Sequence, residues 1–63
     1  SALNDLVKIK PLGDDFYCYN NQEMIGKIPA NYKSYFSTAK SYPGTIVQLQ
    51  MEPAQVTIEV KIN

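Results

Sequence analysis

Apolar and polar residues alternate along most of this chain with the period of two that is typical of half-buried β-strands. The pattern predicts a first strand at Leu6–Pro11, with Val7 and Ile9 on one face and Lys8 and Lys10 on the other. Val7 and Ile9 are therefore candidate core residues.

The next two strands form a predicted hairpin. Phe16–Asn20 is rich in aromatic residues, as strands often are, and Glu23–Ile28 returns after a turn at Asn20-Asn21-Gln22. Asparagine suits this turn because it tolerates left-handed backbone angles. Gly26 lies inside the third strand, which predicts either a β-bulge or a close approach to the backbone. A turn at Leu12–Asp15 joins the first strand to the hairpin.

A change of period from two to 3.6 marks one short amphipathic helix at Asn31–Lys40. Its apolar stripe consists of Tyr32, Tyr35, Phe36 and Ala39. We expect this stripe to dock the helix on the sheet, because so short a helix is unstable in isolation. Asn31 is the predicted N-cap, whereas Lys33 and Lys40 fall off the stripe and should be solvated.

The last part of the chain predicts a second hairpin. A turn at Tyr42-Pro43-Gly44 leads into a strand at Thr45–Met51, and Glu52-Pro53-Ala54 connects this strand to the last one, Ala54–Asn63. The residues expected to face inward are Val47, Leu49 and Met51, then Val56, Ile58, Val60 and Ile62. Those expected to face outward are Gln48, Gln50, Thr57, Glu59 and Lys61.

Five short strands with tight connections and a single helix between strands 3 and 4 indicate a β-rich α+β domain. The expected architecture is a small curved sheet or partly open barrel of the SH3-like or OB-like kind. A flat sheet with the helix across one face is the alternative. Residues 1–5 are expected to be disordered or left over from cloning, and residues 6–63 to form the single domain.

Sixty-three residues make one domain, and a chain of this length buries only about 60% of its unfolded surface. Domains this small often depend on disulfides, a metal, a partner or a larger parent chain. The chain has one cysteine, Cys18, and no histidine, so neither an internal disulfide nor a Cys/His zinc site is possible. We therefore expect no metal and no cofactor.

Six lysines balance six acidic residues, and there is no arginine. Zero net charge argues against strong non-specific binding of nucleic acid, and arginine is the preferred side chain for bidentate phosphate and base contacts. No apolar run approaches the ~20 residues of a membrane span, and a lone cysteine fits a reducing compartment. These features predict a cytoplasmic protein that does not bind membranes.

Catalysis is not expected from this sequence. Histidine, the commonest general base, is absent. A nucleophilic cysteine needs a base partner, and none is recognisable for Cys18, so a buried, inert thiol is the expectation. Asp14 and Asp15 lie in a predicted turn, where carboxylates are normally solvated. The chain is therefore predicted to be a small, non-catalytic binding module.

The richest candidate site combines tyrosines and lysines. It comprises Lys8, Lys10, Tyr17, Tyr19 and Lys27, which the predicted strands place close together. Exposed aromatic rings flanked by cations are how OB-like folds hold single-stranded nucleic acid. In the opposite arrangement the helix covers both tyrosines, and Phe16, Cys18 and Met24 face outward or fill a second layer. We favour this second arrangement, because aromatic residues usually fill the core of so small a domain.

The segment Tyr19–Val47 contains a recognisable series of features. Ile25-Gly26 is followed by Ile28-Pro29 and at once by the predicted helix, and Pro43-Gly44 leads into the next strand. This series resembles the central part of HIRAN domains, although Lys27 stands where that family has an aromatic residue. HIRAN domains are small OB-like β-barrels, best known for binding single-stranded DNA, notably its 3′ end. The resemblance therefore implies an OB-like fold and a role in DNA binding.

Two functions of different kinds remain open. The first is binding of single-stranded nucleic acid, DNA in particular, by the tyrosines and lysines named above. The second is a protein-interaction, scaffolding or oligomerisation domain from a larger protein, for example of a phage or mobile element. Such a domain would pair with another protein chain, or with itself, through the edge of the C-terminal strand at Ala54–Asn63.

Overall fold

Five antiparallel strands form one curled sheet, a half-barrel, in a computed structural model that describes residues 1–62. The elements are β1 (Leu6–Leu12), β2 (Asp15–Asn20), β3 (Glu23–Lys27), a 3₁₀ helix (Ala30–Tyr35), β4 (Tyr42–Met51) and β5 (Ala54–Val60). The strands pair in the order β3-β2-β1-β4-β5. The predicted curved sheet with one short helix between strands 3 and 4 is thereby confirmed, and the flat alternative is wrong. Asn63, the last residue of the predicted fifth strand, lies outside the described residues.

β1 is the central strand, and the residue at its middle, Ile9, is fully buried. Ile9 pairs with Cys18 of β2 on one side and with Tyr42 of β4 on the other. Because successive side chains of a strand point to opposite faces, the core lies on one face of the sheet. The buried apolar side chains are those of Val7, Ile9, Phe16, Cys18, Ile28, Tyr42 and Ile46. The inward orientation predicted for Val7 and Ile9 is confirmed.

Tight turns join the first three strands where the sequence predicts them. Gly13, with φ of 63°, lies between β1 and β2. Asn21 and Gln22, with φ of 54° and 73°, form the two-residue connection between β2 and β3. Positive φ at both central residues is what a type I′ hairpin turn requires, and its twist matches that of the flanking strands.

β3 contains a bulge at the place where Gly26 interrupts the predicted strand. Cys18 pairs with Gly26 but Tyr19 pairs with Met24, so Ile25 is an extra residue opposite β2. An added Cβ at Gly26 would meet no atom within 4 Å. The bulge, and not a close approach to the backbone, is therefore the feature that accompanies this glycine.

β4 begins three residues earlier than the sequence predicts, because Tyr42-Pro43-Gly44 is strand and not turn. Gly44 pairs with Val7 of β1 and with Val60 of β5. A Cβ at Gly44 would lie 3.0 Å from the Glu59 carbonyl oxygen and 3.2 Å from Val7 Cγ2. The glycine thus allows two neighbouring strands to approach closely, which is a second use of glycine in sheets beside turns.

A second bulge, in β4, reverses the orientation predicted for the side chain of Val47. Ile46 pairs with Ile58 but Gln48 pairs with Thr57, so Val47 is the extra residue. Ile46 is fully buried and Val47 is 49% exposed. The prediction that Val47 faces the core is therefore wrong, since a bulge shifts the alternation by one residue.

The apolar side chains of β5 face inward as predicted, but only some of them are covered by the core. Ile58 and Val60 pack against the core. Val56 of β5 is 40% exposed, and Ile62, two residues beyond the end of the strand but on the same side, is 43% exposed. The half-barrel therefore leaves the inner face of β5 partly uncovered.

The helix is shorter than predicted and of the 3₁₀ type, from Ala30 to Tyr35. Tyr32 and Tyr35 of the predicted stripe are 47% and 61% exposed, and Ala39 is also exposed. Only Phe36 of the stripe packs on the core, and it follows the helix in an extended conformation. The stripe as a whole therefore does not dock the helix.

Aromatic contacts of Phe36 connect the helical segment to the sheet. Its ring centroid lies 5.3 Å from that of Phe16 and 5.0 Å from that of Tyr42, the latter edge-to-face. The helix starts after Pro29 without a side-chain cap, so Asn31 is not the N-cap. A 3₁₀ turn repeats every three residues, so Tyr32 and Tyr35 lie on one side of the helix, beside β5, and stay largely exposed. Phe36 packs onto the sheet instead.

The residues before β1 are hydrogen-bonded to the sheet. The Asn4 N–H donates to the Ile46 carbonyl at 2.8 Å, and the Ile46 N–H donates to the Asp5 carbonyl at 3.0 Å. The Asp5 carboxylate accepts from the Asn20 side-chain amide at 3.0 Å and from the Ala2 N–H at 2.9 Å. The hydrogen bond from Asn20 and, to a smaller extent, the one from Ala2 hold the pKa of Asp5 below its ordinary value.

One matched pair of substitutions tests the β4 bulge. Val7→Thr and Val47→Thr make the same change, but Val7 is 5% exposed and Val47 is 49% exposed. We expect Val7→Thr to lower the free energy of unfolding by about 1–3 kcal/mol, because the hydroxyl is buried without a partner. Val47→Thr should change it by less than about 0.5 kcal/mol. Urea unfolding measures both, and equal losses would contradict the bulge.

Candidate nucleic-acid interface

The outer face of β1, β2 and β3 carries the tyrosines and lysines that the sequence singles out. Phe16 and Cys18 point into the core, and Phe36 packs against Phe16 on that side. Tyr17 and Tyr19 therefore lie on the opposite face, half-exposed. The arrangement we favoured from the sequence, with both tyrosines under the helix, is wrong. Phe36 and Tyr42, which follow the helix in the sequence, already contribute aromatic rings to the core. Tyr17 and Tyr19 are therefore not needed to fill it.

The strand register brings all the candidate residues onto one surface. Lys8 is opposite Tyr19, Lys10 is opposite Tyr17, and Tyr17 is also opposite Lys27. Directly opposed residues in antiparallel strands have Cβ atoms about 5 Å apart. We call this surface, made of Lys8, Lys10, Tyr17, Tyr19 and Lys27, the tyrosine–lysine face.

Lys10 lies next to both tyrosines of β2. It is opposite Tyr17 in the register, and its Nζ lies 4.8 Å from the centroid of the Tyr19 ring. That distance is within the range of a cation–π interaction. The contact holds a positive charge beside an aromatic surface, a combination found in sites that bind single-stranded nucleic acid.

Asp15, at the start of β2, sets the charge at one end of this face. Its carboxylate oxygens lie 3.6 Å from Lys27 Nζ and 3.5 Å from Lys33 Nζ. All three side chains are at least 30% exposed, so each ion pair contributes little to stability. The trio keeps one net positive charge at the edge of the tyrosine–lysine face. Lys33, which the sequence places in solvent, thus belongs to this cluster.

A shallow depression of ≈ 320 Å³ lies at the other end of the face. It is lined by Leu6, Val7, Lys8, Lys10, Tyr19, Asn21 and Gln22. Asn21 and Gln22 were not identified from the sequence as site residues, and only their position in the β2–β3 turn brings them here. Their amides add hydrogen-bonding groups beside Lys8 and Tyr19.

Other chemistry on the described part of the chain is limited. Within residues 1–62, no three His, Cys, Asp or Glu side chains come close enough to hold a metal ion. No helix in this range is long and apolar enough to cross a membrane. Cys18 is free and buried, and its desolvation raises the pKa of the thiol.

The raised pKa of Cys18 leads to a measurable prediction. The folded state favours the protonated thiol, so its contribution to stability is present below the ordinary pKa and lost as the pH rises through the raised value. Since the thiolate is the reactive form, we expect iodoacetamide to alkylate the native chain at least about tenfold more slowly than the urea-unfolded chain at the same pH. Mass spectrometry follows the reaction, and equal rates would show that Cys18 is accessible.

Comparison with protein-family models, with curated proteins and with solved structures finds no match to this chain. The resemblance of Tyr19–Val47 to HIRAN domains accordingly stays a prediction.

Proposed function

We propose that this chain is a non-catalytic binding module that holds single-stranded nucleic acid, DNA in particular, on the tyrosine–lysine face. The observation that supports this proposal is the register, which sets Tyr17 between Lys10 and Lys27 and sets Tyr19 opposite Lys8. Aromatic rings interleaved with cations on a curved sheet are the common means of binding single strands. Because a single thiol, Cys18, fits a reducing compartment, we place this activity in the cytoplasm.

In the proposed complex, bases stack on Tyr17 and Tyr19 while Lys8, Lys10 and Lys27 contact phosphates. Stacking contributes roughly 1–3 kcal/mol per base. The lysines are point charges without the planar fork of arginine, so they attract the backbone without reading sequence. We therefore expect weak selectivity among base sequences.

The spacing of the tyrosines favours a single strand over a duplex. Tyr17 and Tyr19 are two residues apart on one strand, which separates their Cα atoms by about 6.8 Å. Neighbouring bases in a duplex are only about 3.4 Å apart along the axis. Two adjacent bases must separate to about twice that distance to stack on both rings. An extended single strand permits this separation, whereas a duplex does not.

The overall charge limits the strength of binding. The chain has zero net charge, and Asp15 offsets part of the positive charge of Lys27 and Lys33. Non-specific dissociation constants are typically about 10⁻⁴–10⁻⁶ M. We expect this protein to fall at the weak end of that range.

Fluorescence anisotropy with a labelled thymidine oligonucleotide at low salt tests the proposal. We expect Tyr17→Ala and Tyr19→Ala each to weaken binding about 5- to 100-fold, because each removes one stacking ring. The corresponding substitutions by Phe keep the ring and should retain most of the affinity. Tyr35→Ala is the matched control, since Tyr35 is 61% exposed and lies outside the face. Absence of binding below about millimolar oligonucleotide, or equal effects of Tyr35→Ala, would refute the proposal.

Asp15→Asn should strengthen binding, because it frees Lys27 and Lys33 from their shared carboxylate. For single strands, log K falls with log salt by about 0.7 per neutralised phosphate. We therefore expect a steeper salt dependence, by about 0.7–1.4, and a gain in affinity that disappears at high salt. Glu52→Gln changes the net charge equally in the distant β4–β5 turn and should leave the slope unchanged. If both variants behave alike, net charge and not the Asp15 cluster is responsible.

Binding of another protein chain is the second candidate, and a different surface supports it. β5 is the edge strand of the sheet, and exposed edges pair readily with added strands. Large apolar side chains next to it are exposed, among them Met51 at 86%. A monomeric soluble domain seldom exposes such side chains together without a partner.

A further inference from the structure

The backbone of β5 presents free hydrogen-bonding groups on its outer edge. β4 is its one neighbour in the sheet formed by residues 1–62. The Lys61 N–H donates to the Pro43 carbonyl at 3.2 Å, so the main chain of Lys61 points toward β4. Because alternate residues of an antiparallel ladder point to opposite sides, the N–H and C=O groups of Val60 point to the free edge.

The side chains at this edge are arranged with opposite charges on one face and apolar groups on the other. Glu59 and Lys61 lie on the outer face, both exposed, and neither forms an ion pair within the described residues. Ile58 and Val60 lie on the inner face of β5, which ends at Val60. Ile62, two residues further on, lines the same groove as these two residues and is 43% exposed. A strand with this pattern is complementary to a second copy of itself.

We propose that two copies of this chain pair, antiparallel, about a two-fold axis at Val60, through the end of β5 and the two residues that follow it, Lys61 and Ile62. In this register Glu59 lies opposite the partner's Lys61, and Ile58 lies opposite the partner's Ile62. Val60 and the partner's Val60 exchange the hydrogen bonds of their free edges. The symmetry creates two Glu–Lys pairs at the closely spaced, non-hydrogen-bonded positions, where cross-strand side chains interact most.

The charges of Glu59 and Lys61 favour this register over the neighbouring registers. A shift of one residue would set inner-face side chains opposite outer-face ones. Centring the pair on Glu59 would place the two Glu59 carboxylates opposite each other, and centring it on Ile58 would place Glu59 opposite the partner's Thr57. Among registers centred from Ile58 to Lys61, only the one at Val60 joins opposite charges.

An apolar groove beside β5 adds buried surface area that the pairing of two strand edges would not provide by itself. It has a volume of ≈ 500 Å³ and lies between the 3₁₀ helix and β5. Tyr32, Tyr35 and Val56 line it and are 47%, 61% and 40% exposed. A stable interface buries about 800 Å² per partner, which is about a sixth of the 4745 Å² surface of this chain. The partner's Ile62, opposite Ile58, enters this groove and covers its apolar walls.

This dimer is independent of the proposed nucleic-acid binding. The tyrosine–lysine face lies on β1, β2 and β3, whereas β5 lies at the other end of the sheet, beyond β4. The two-fold axis runs through the joined sheet, so both tyrosine–lysine faces stay open on its outer side. Dimerisation is therefore tested without oligonucleotide.

Sedimentation equilibrium of the full chain, from about micromolar to millimolar concentration, tests the proposal. We expect a reversible monomer–dimer equilibrium. Glu59→Lys and Lys61→Glu each turn both ion pairs into like-charge contacts, and each should raise the dissociation constant about tenfold or more. Both positions are exposed, and urea unfolding verifies that each variant folds.

An equimolar mixture of the two variants gives the sharpest readout. One chain then carries two cations at these positions and the other two anions, so both cross-strand pairs re-form in the heterodimer. We expect the mixture to dimerise about as well as the original chain, while each variant alone stays largely monomeric. If the chain stayed strictly monomeric up to millimolar concentration, the proposal would be overturned. The β5 edge would then be a site for pairing with a different protein. Dimerisation that neither variant weakens, or that mixing fails to restore, would also overturn it.

Discussion

The pairing of β1 with β2 and β4 is the constraint on which the rest of this structure depends. Ile9, at the middle of β1, is fully buried between Cys18 and Tyr42. Once Ile9 faces the core, the pleat decides the orientation of every residue in β1 and β2, and of the residues of β4 as far as Ile46. Lys8, Lys10 and both tyrosines of β2 must then face outward together. The candidate binding surface is thus a direct consequence of how the core is built. The alternation that buries the apolar side chains on one face places the lysines and tyrosines together on the other.

A chain of 63 residues closes only part of a barrel. Within residues 1–62 the sheet has two free edges, at β3 and β5, and the seven buried apolar side chains cluster around β1, β2 and the start of β4. The outer half of the β4–β5 hairpin extends beyond this core, which is why Leu49, Met51 and Val56 stay exposed on its inner face. Burial of apolar surface contributes about 25 cal/mol per Å². Covering this hairpin would therefore be favourable for any partner whose edge and charges fit.

The two proposed interactions use opposite properties of the same sheet. On the outer face of β1–β3 the side chains form the binding surface, because rings and lysines are held in register. The backbones of β1 and β2 are paired on both sides there. At β5 the backbone is the unpaired group, and Glu59 and Lys61 select the register. A single curled sheet can carry both because its two ends are separated by β4.

Local order along the chain was readable from the sequence, including the five strands, the hairpin turn at Asn21-Gln22 and the membership of the tyrosine–lysine face. These depend on contacts between near neighbours, which periodicity and turn chemistry record. Tertiary structure alone decided which face of β2 is covered, where β4 begins and how short the helix is. Gly44 belongs to a strand because β1 and β5 both approach it, and Val47 leaves the core because a bulge fits β4 to β5. Such choices arise from contacts between distant segments, which no local pattern contains.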